Sequence, residues 1–190
     1  MSEPNNKTVL VTGANGYIGT RLMHELGERG YRILAVVRNK NRLREDLVES
    51  LGDQLHIIEA DFSNAKLPEI TEKIDAAYYL LHSMSTDGDF MDAEVQCANH
   101  FVSWIKPTGC DQIIYLGALL PKNVDNLALS QHLMSREKVH NILQSSKIPL
   151  TTLRASIIVG SGSASFEMIR DLVEKLPVMI TPKWVRTECQ

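Results

Sequence analysis

The sequence predicts a doubly wound α/β fold, one parallel sheet with helices packed on both faces. Short β-rich runs alternate with longer helical patterns along nearly the whole chain. These runs are mostly continuous in apolar character, as strands covered on both faces require. A glycine-rich turn joins the first run directly to the first helical pattern. Right-handed βαβ crossovers then imply the strand order 3-2-1-4-5-6.

Thr8-Val9-Leu10-Val11 reads as the first strand. Ile18, Leu22 and Leu26 recur at helical spacing behind it, and Gly30 closes that helix. Ile33 to Val37 and Gln54 to Ile58 supply the second and third strands, and Ala76 to Leu81 the fourth. Asp89 to Ile105 forms a long helix, stopped by Pro107 and Gly109. Gln112 to Leu116 is the fifth strand, and the next helix carries Val139 and Leu143 on one face. Leu150 to Arg154 is the sixth strand, and Ser163 to Leu176 is helical until Pro177 ends it. No internal repeat, low-complexity tract or linker interrupts this order, so residues 1–190 read as one domain. Residues 7–158 are its core, and 159–190 begin a minimal substrate-side segment.

Composition removes several classes of function. The 190 residues carry 20 Lys+Arg against 23 Asp+Glu, a net charge of −3, which gives no reason to expect nucleic acid or an anionic membrane as partner. The apolar runs fall far short of a membrane span, and the N-terminus lacks the pattern of a signal peptide. Cys97, Cys110 and Cys189 form neither a metal-type pair nor a redox motif. The histidines His24, His56, His100 and His140 sit singly, so no metal site is expected. A cytoplasmic protein with reduced thiols is the expectation.

Chemistry enters with Thr12-Gly13-Ala14-Asn15-Gly16-Tyr17-Ile18-Gly19, which follows the first strand and opens the first helix. In that context Gly13 permits the tight turn, Gly16 the approach of a pyrophosphate, and Gly19 the packing of helix on strand. Backbone N–H groups of the turn, Asn15 to Ile18 among them, then face the anion. This predicts a dinucleotide site. After the second strand, where a carboxylate would hold the ribose of NAD, the sequence offers Arg38-Asn39-Lys40 and Arg42. Arg38 suits the 2′-phosphate of NADP, which favours NADP(H) over NAD(H). Asp61 and Phe62 follow the third strand and are candidates for the adenine, although Asp61 could instead cap a short helix from Ser63. Leu81, His82 and Ser83 stand at the carboxyl end of the fourth strand, bordering the same crevice.

These residues resemble an atypical short-chain dehydrogenase/reductase, the Rossmann-type branch grouped with nucleoside-sugar epimerases. Thr-Gly-x-x-Gly-x-x-Gly is the extended form of that family's turn. Tyr79-Leu80-Leu81-His82-Ser83-Met84 with Gly88-Asp89-Phe90, His132-Leu133 with Ser135-Arg136, and Val159 to Glu167 resemble a bacterial subgroup. So do Leu176 to Met179 and Pro182 to Arg186, and the resemblance spans nearly the whole chain. It implies oxidoreductase chemistry with a Ser or Thr after the fifth strand and Tyr-x-x-x-Lys on the next helix. This chain has Gly117-Ala118 and His132-Leu133-Met134-Ser135-Arg136 instead.

His132 and Arg136 keep the i, i+4 spacing and are the catalytic candidates, His132 as proton donor and Arg136 on the ribose. The alternative is that His132 caps or packs the helix and Arg136 makes a ribose or surface contact. Gly160 to Phe166 precedes a helix and could cradle a second anionic or polar group, or be a loop with an ordinary Ser163 cap.

The expected activity is an NADP(H)-dependent oxidoreductase acting on a small carbonyl or alcohol. A non-catalytic NAD(P)H sensor and an epimerase or dehydratase with bound NAD are the alternatives. The resemblance also implies a homodimer through the helices Asp89 to Ile105 and Ser130 to Ser145. Only Gly160 to Gln190 remain for a substrate side, so a further segment, subunit or ligand is expected to finish that pocket.

Overall fold

The computed structural model describes residues 6–82, 90–119, 130–156 and 158–176. Six strands, β1 (Thr8–Thr12), β2 (Arg32–Val37), β3 (Leu55–Glu59), β4 (Ala76–Tyr79), β5 (Ile113–Ala118) and β6 (Leu150–Ala155), make one sheet. Its order is β3-β2-β1-β4-β5-β6 with every pairing parallel, as the sequence predicts. The helices are α1 (Tyr17–Glu28), α2 (Glu45–Leu51), α3 (Phe90–Ile105), α4 (Gln131–Ser145) and α5 (Ala164–Lys175).

Alternation along β1 explains the two cores. Val9 and Val11 face one side of the sheet, where Met23 and Leu26 of α1 and Leu47 and Leu51 of α2 cover them. Leu10 faces the other, where Ala98, Phe101 and Ile105 of α3 and Val139 and Leu143 of α4 close the layer. Phe101 meets Tyr79 edge-on at 4.9 Å between ring centroids, and Phe62 meets Trp104 at 5.3 Å. These aromatic contacts fix the loop after β3 against α3. His100 adds a hydrogen bond between its Nδ1 and the Phe62 carbonyl at 2.8 Å.

The strand ends nearest the turns are set by side chains. Asp75 accepts from the Thr8 N–H at 2.7 Å and its own N–H donates to the Thr8 carbonyl, which aligns β4 with β1. At the other end the buried Thr12 hydroxyl donates to the Tyr78 carbonyl at 3.0 Å and accepts from the Leu80 N–H at 3.1 Å. That pair of bonds continues the β1–β4 connection one residue past the sheet. Asp61 does not cap a helix. Its Oδ1 accepts from Ser63 N–H at 3.0 Å in a turn, because the chain from 61 to 65 makes no helical run.

The segment after β6 leaves the sheet over the first turn of α1. α5 then begins at Ala164, capped by Ser163, whose hydroxyl accepts from the Phe166 N–H. One face of α5 exposes Met168, Ile169, Leu172 and Val173. Among the described residues no helix is long and apolar enough to cross a membrane.

Candidate functional site

In a doubly wound sheet the loops after neighbouring central strands diverge where the strand order reverses, here between β1 and β4. A cleft of about 540 Å³ opens at that point. Gly13, Asn15 and Gly16 form its floor, and Arg38 stands at the end of β2. Asp61 and Phe62 border it after β3, and Leu81 and His82 after β4. The structure therefore brings most of the sequence-predicted cofactor residues to one cavity. Ser83 lies outside the described residues.

The turn is built by two glycines. Gly13 has φ +63°, and a Cβ there would sit 2.9 Å from the Leu80 carbonyl oxygen. A Cβ on Gly19 would overlap the Gly13 carbonyl oxygen and come within 2.8 Å of the Ala14 Cα. Only hydrogen at Gly19 lets α1 descend onto the end of β1. The helix then presents its N-terminus to the cleft, with Gly16 as N-cap and no acidic residue in its first turn. Tyr17 and Ile18 occupy that first turn. The turn thus has the geometry expected of a backbone cradle for an anion.

Further along, Phe62 is almost fully buried in the aromatic cluster, so its side chain serves packing while its loop borders the cleft. Both Asp61 carboxylate oxygens have partners in the turn, Ser63 N–H and Asn64 Nδ2. Cys97 of α3 also lines the cleft, and burial pushes its thiol pKa up.

Neither catalytic candidate, His132 or Arg136, lines the cleft, whereas Glu94 of α3, which no sequence motif marks, does. His132 is exposed in the first turn of α4. Arg136, one turn deeper, is 5% exposed and pairs with Glu94 of α3, also 5% exposed, at 3.1 Å. Ser135 donates its hydroxyl to the second Glu94 oxygen, and the Tyr115 hydroxyl donates to the Arg136 carbonyl at 3.3 Å. Glu94 lines the cleft, whereas Arg136 borders a separate cavity of about 30 Å³ beside β5 and β6, room for about one water.

The signal for Glu94 was in the helix period. Glu94, Ala98, Phe101 and Ile105 form one buried stripe on α3. A carboxylate on an apolar stripe needs a buried partner, and Arg136 is the partner.

This pair also acts on its neighbours. His82 stands at the rim of the cleft with its side chain exposed at one side. Desolvation, the Arg136 cation and then His132 lower its pKa to about 4, with Glu94 pulling the other way. Burial likewise raises the pKa of Tyr79 and Tyr115, which keeps both phenols neutral beneath the cleft. Among the described residues no group of three or more His, Cys, Asp or Glu could hold a metal ion.

The family model for the NAD dependent epimerase/dehydratase family matches residues 9–123, from β1 past the end of β5. The chain belongs to this family. Over 50 residues it is 57% identical to divinyl chlorophyllide a 8-vinyl-reductase from Zea mays, a match covering 24% of the chain and 12% of the reductase. UDP-glucuronic acid 4-epimerase from Bacillus cereus, solved with NAD, shares the fold with a TM-score of 0.70 at 19% identity. That likeness covers 91% of this chain and 65% of the epimerase. Triphenylmethane reductase from Citrobacter sp., solved with NADP(H), gives a TM-score of 0.61 at 18% identity over 78% of this chain and 49% of that one. The chain spans less than two thirds of each of these proteins.

Two outcomes follow from the buried pair and from His82. Replacing Arg136 by Met strands the Glu94 carboxylate and is expected to cost about 3–5 kcal/mol in urea unfolding, with most of it recovered in Glu94→Leu/Arg136→Met. A loss below about 1 kcal/mol would show that the pair is not closed in solution. For His82, the unfolded chain takes up its proton near pH 6.5 and the folded chain only near about 4. Stability contributed by this group is therefore intact above about pH 6.5 and falls on acidification toward about pH 4. Unfolding curves of His82→Gln should be flatter than wild type across that window, and equal slopes would contradict the placement.

Proposed function

We propose that this chain is an NADP(H)-dependent oxidoreductase of the atypical short-chain type, acting on a small carbonyl or alcohol. The observation that carries the proposal is the continuity of one cleft from Arg38, across the glycine turn, to Leu81 and His82. The backbone cradle at Gly13 to Ile18 fits a pyrophosphate, because Gly13 and Gly19 let the turn close under α1 and Gly16 puts no side chain at the helix N-terminus. Arg38 would hold a 2′-phosphate, and Leu81 and His82 would border the nicotinamide. When bound, that ring supplies the hydride chemistry.

Cofactor preference follows from charge at the end of β2. The loop after Val37 carries Arg38, Lys40 and Arg42 and no acid. Glu59 reaches the same loop from β3, but its carboxylate accepts from the Lys40 N–H at 2.9 Å and lines a different cavity. A 2′-phosphate meets a guanidinium there, which supports NADP(H).

A second reading, a non-catalytic sensor of the cofactor's redox state, is favoured by the ion pair at the far end. Arg136 is held by Glu94, and β5 ends in Gly117-Ala118, without a hydroxyl. An epimerase or dehydratase with retained NAD is the third. Family membership supports it, and the lack of a tyrosine at His132 weighs against it.

Fluorescence titration separates the cofactors. NADPH is expected to bind at least about tenfold tighter than NADH, and Arg38→Leu to weaken NADPH by about ten- to a hundredfold while leaving NADH within about twofold. Tighter NADH binding, or an indifferent Arg38→Leu, would overturn the preference. NADPH oxidation against quinones, aldehydes and ketones then divides enzyme from sensor.

A further inference from the structure

The loop after β6 is seated on α1 by two side chains that have no part in the glycine turn itself. Arg21 donates from Nη2 to the Ser161 carbonyl at 2.6 Å, and its guanidinium carbon lies 3.8 Å from the centre of the Tyr17 ring. The Tyr17 hydroxyl occupies the space that a side chain on Gly160 would need, since a Cβ there would overlap it. The next nearest atom to that position, Tyr17 Cζ at 3.4 Å, is in ordinary contact.

Beyond Ser161 the loop is held internally. Gly162 has φ +84° and its N–H donates to Glu167 Oε1 at 3.0 Å, while Ser163 caps α5. Loop and first turn of α5 therefore dock as a unit, and the dock is the first two turns of α1.

We propose that Tyr17 and Arg21 form a latch through which a dinucleotide on the glycine turn orders residues 158–176. This rests on the cofactor assignment above. The physical link is short. Tyr17 is the first residue of α1, so an anion held by the first-turn N–H groups fixes the backbone from which its ring projects. Arg21 stacks on that ring one turn further along and carries the constraint to Ser161. Binding cofactor thereby assembles the segment on the substrate side, and Arg21 and the Tyr17 side chain are positioning residues for it. Coupling of this kind is reciprocal. The factor by which cofactor strengthens loop docking equals the factor by which the latch strengthens cofactor binding.

Hydrogen exchange read by mass spectrometry, with NADPH as the probe ligand, tests the latch. In the free protein Gly160→Ala should speed exchange in peptides from 158–176 by about tenfold or more, because its methyl meets the Tyr17 hydroxyl. Tyr17→Phe/Gly160→Ala should return exchange to within about twofold of Tyr17→Phe alone, since the overlapping oxygen is gone. Saturating NADPH should slow exchange of the segment in wild type and in Arg21→Lys, and should fail to do so in Arg21→Ala. The last variant should bind NADPH more weakly by the same factor that the segment loses in protection.

Lack of rescue by Tyr17→Phe, or equal NADPH-dependent protection in Arg21→Ala, would overturn the proposal. If neither NADPH nor NADH binds wild type, the cofactor assignment fails and the coupling with it. The rescue in the free protein then reports only on the Tyr17–Gly160 contact.

Discussion

Everything on the functional side of this molecule depends on the contact between Gly19 and the Gly13 carbonyl. A methyl group at Gly19 would overlap that oxygen, and α1 would have to lift off the end of β1. With hydrogen there, the helix N-terminus sits directly above the central strand and its N–H groups converge on the cleft. The same descent brings Tyr17 and Arg21 against the loop after β6. Thr12 completes the arrangement by tying β1 to Tyr78 and Leu80, so the opposite wall of the cleft is referenced to the same strand. One backbone contact thus sets the cradle, the wall and the dock.

The two ends of the cleft solve different electrostatic problems. At the β2 end Arg38 faces solvent, where it can meet an anion, while Asp61 of the same lining is held by Ser63 and Asn64 of its own turn. At the β4–β5 end a cation and a carboxylate are both withdrawn from water and satisfy each other, with Ser135 taking the other carboxylate oxygen. The pair ties α3 to α4, while desolvation, with the Arg136 cation behind it, lowers the affinity of the His82 imidazole for a proton. Such an arrangement leaves a histidine of lowered pKa at the rim of the cleft and Arg136 on a separate cavity.

The strand order and all six strands were legible because buried parallel strands read as continuous apolar runs, and boundaries moved by only a residue or two. α2 was not legible: it has only seven residues, too few for a period to declare itself. Among site residues, Gly13 to Gly19 and Arg38 could be placed from local spacing alone. Arg136 could not, since its i, i+4 relation to His132 says nothing of depth, and the partner that decides its role lies on another helix. Glu94 was visible in principle as an acid on the Ala98–Phe101–Ile105 stripe. The Tyr17–Gly160 and Arg21–Ser161 contacts join residues about 140 positions apart, which only the assembled fold reveals.

The central claim is that the cleft between β1 and β4 holds a nicotinamide dinucleotide on the glycine turn. A crystal soaked with NADPH tests it most directly. Density is expected for the pyrophosphate against the backbone from Asn15 to Ile18, for the 2′-phosphate at Arg38 and for the nicotinamide beside Leu81 and His82. Density elsewhere on the molecule, or an empty cleft at saturating NADPH and NADH, would contradict it.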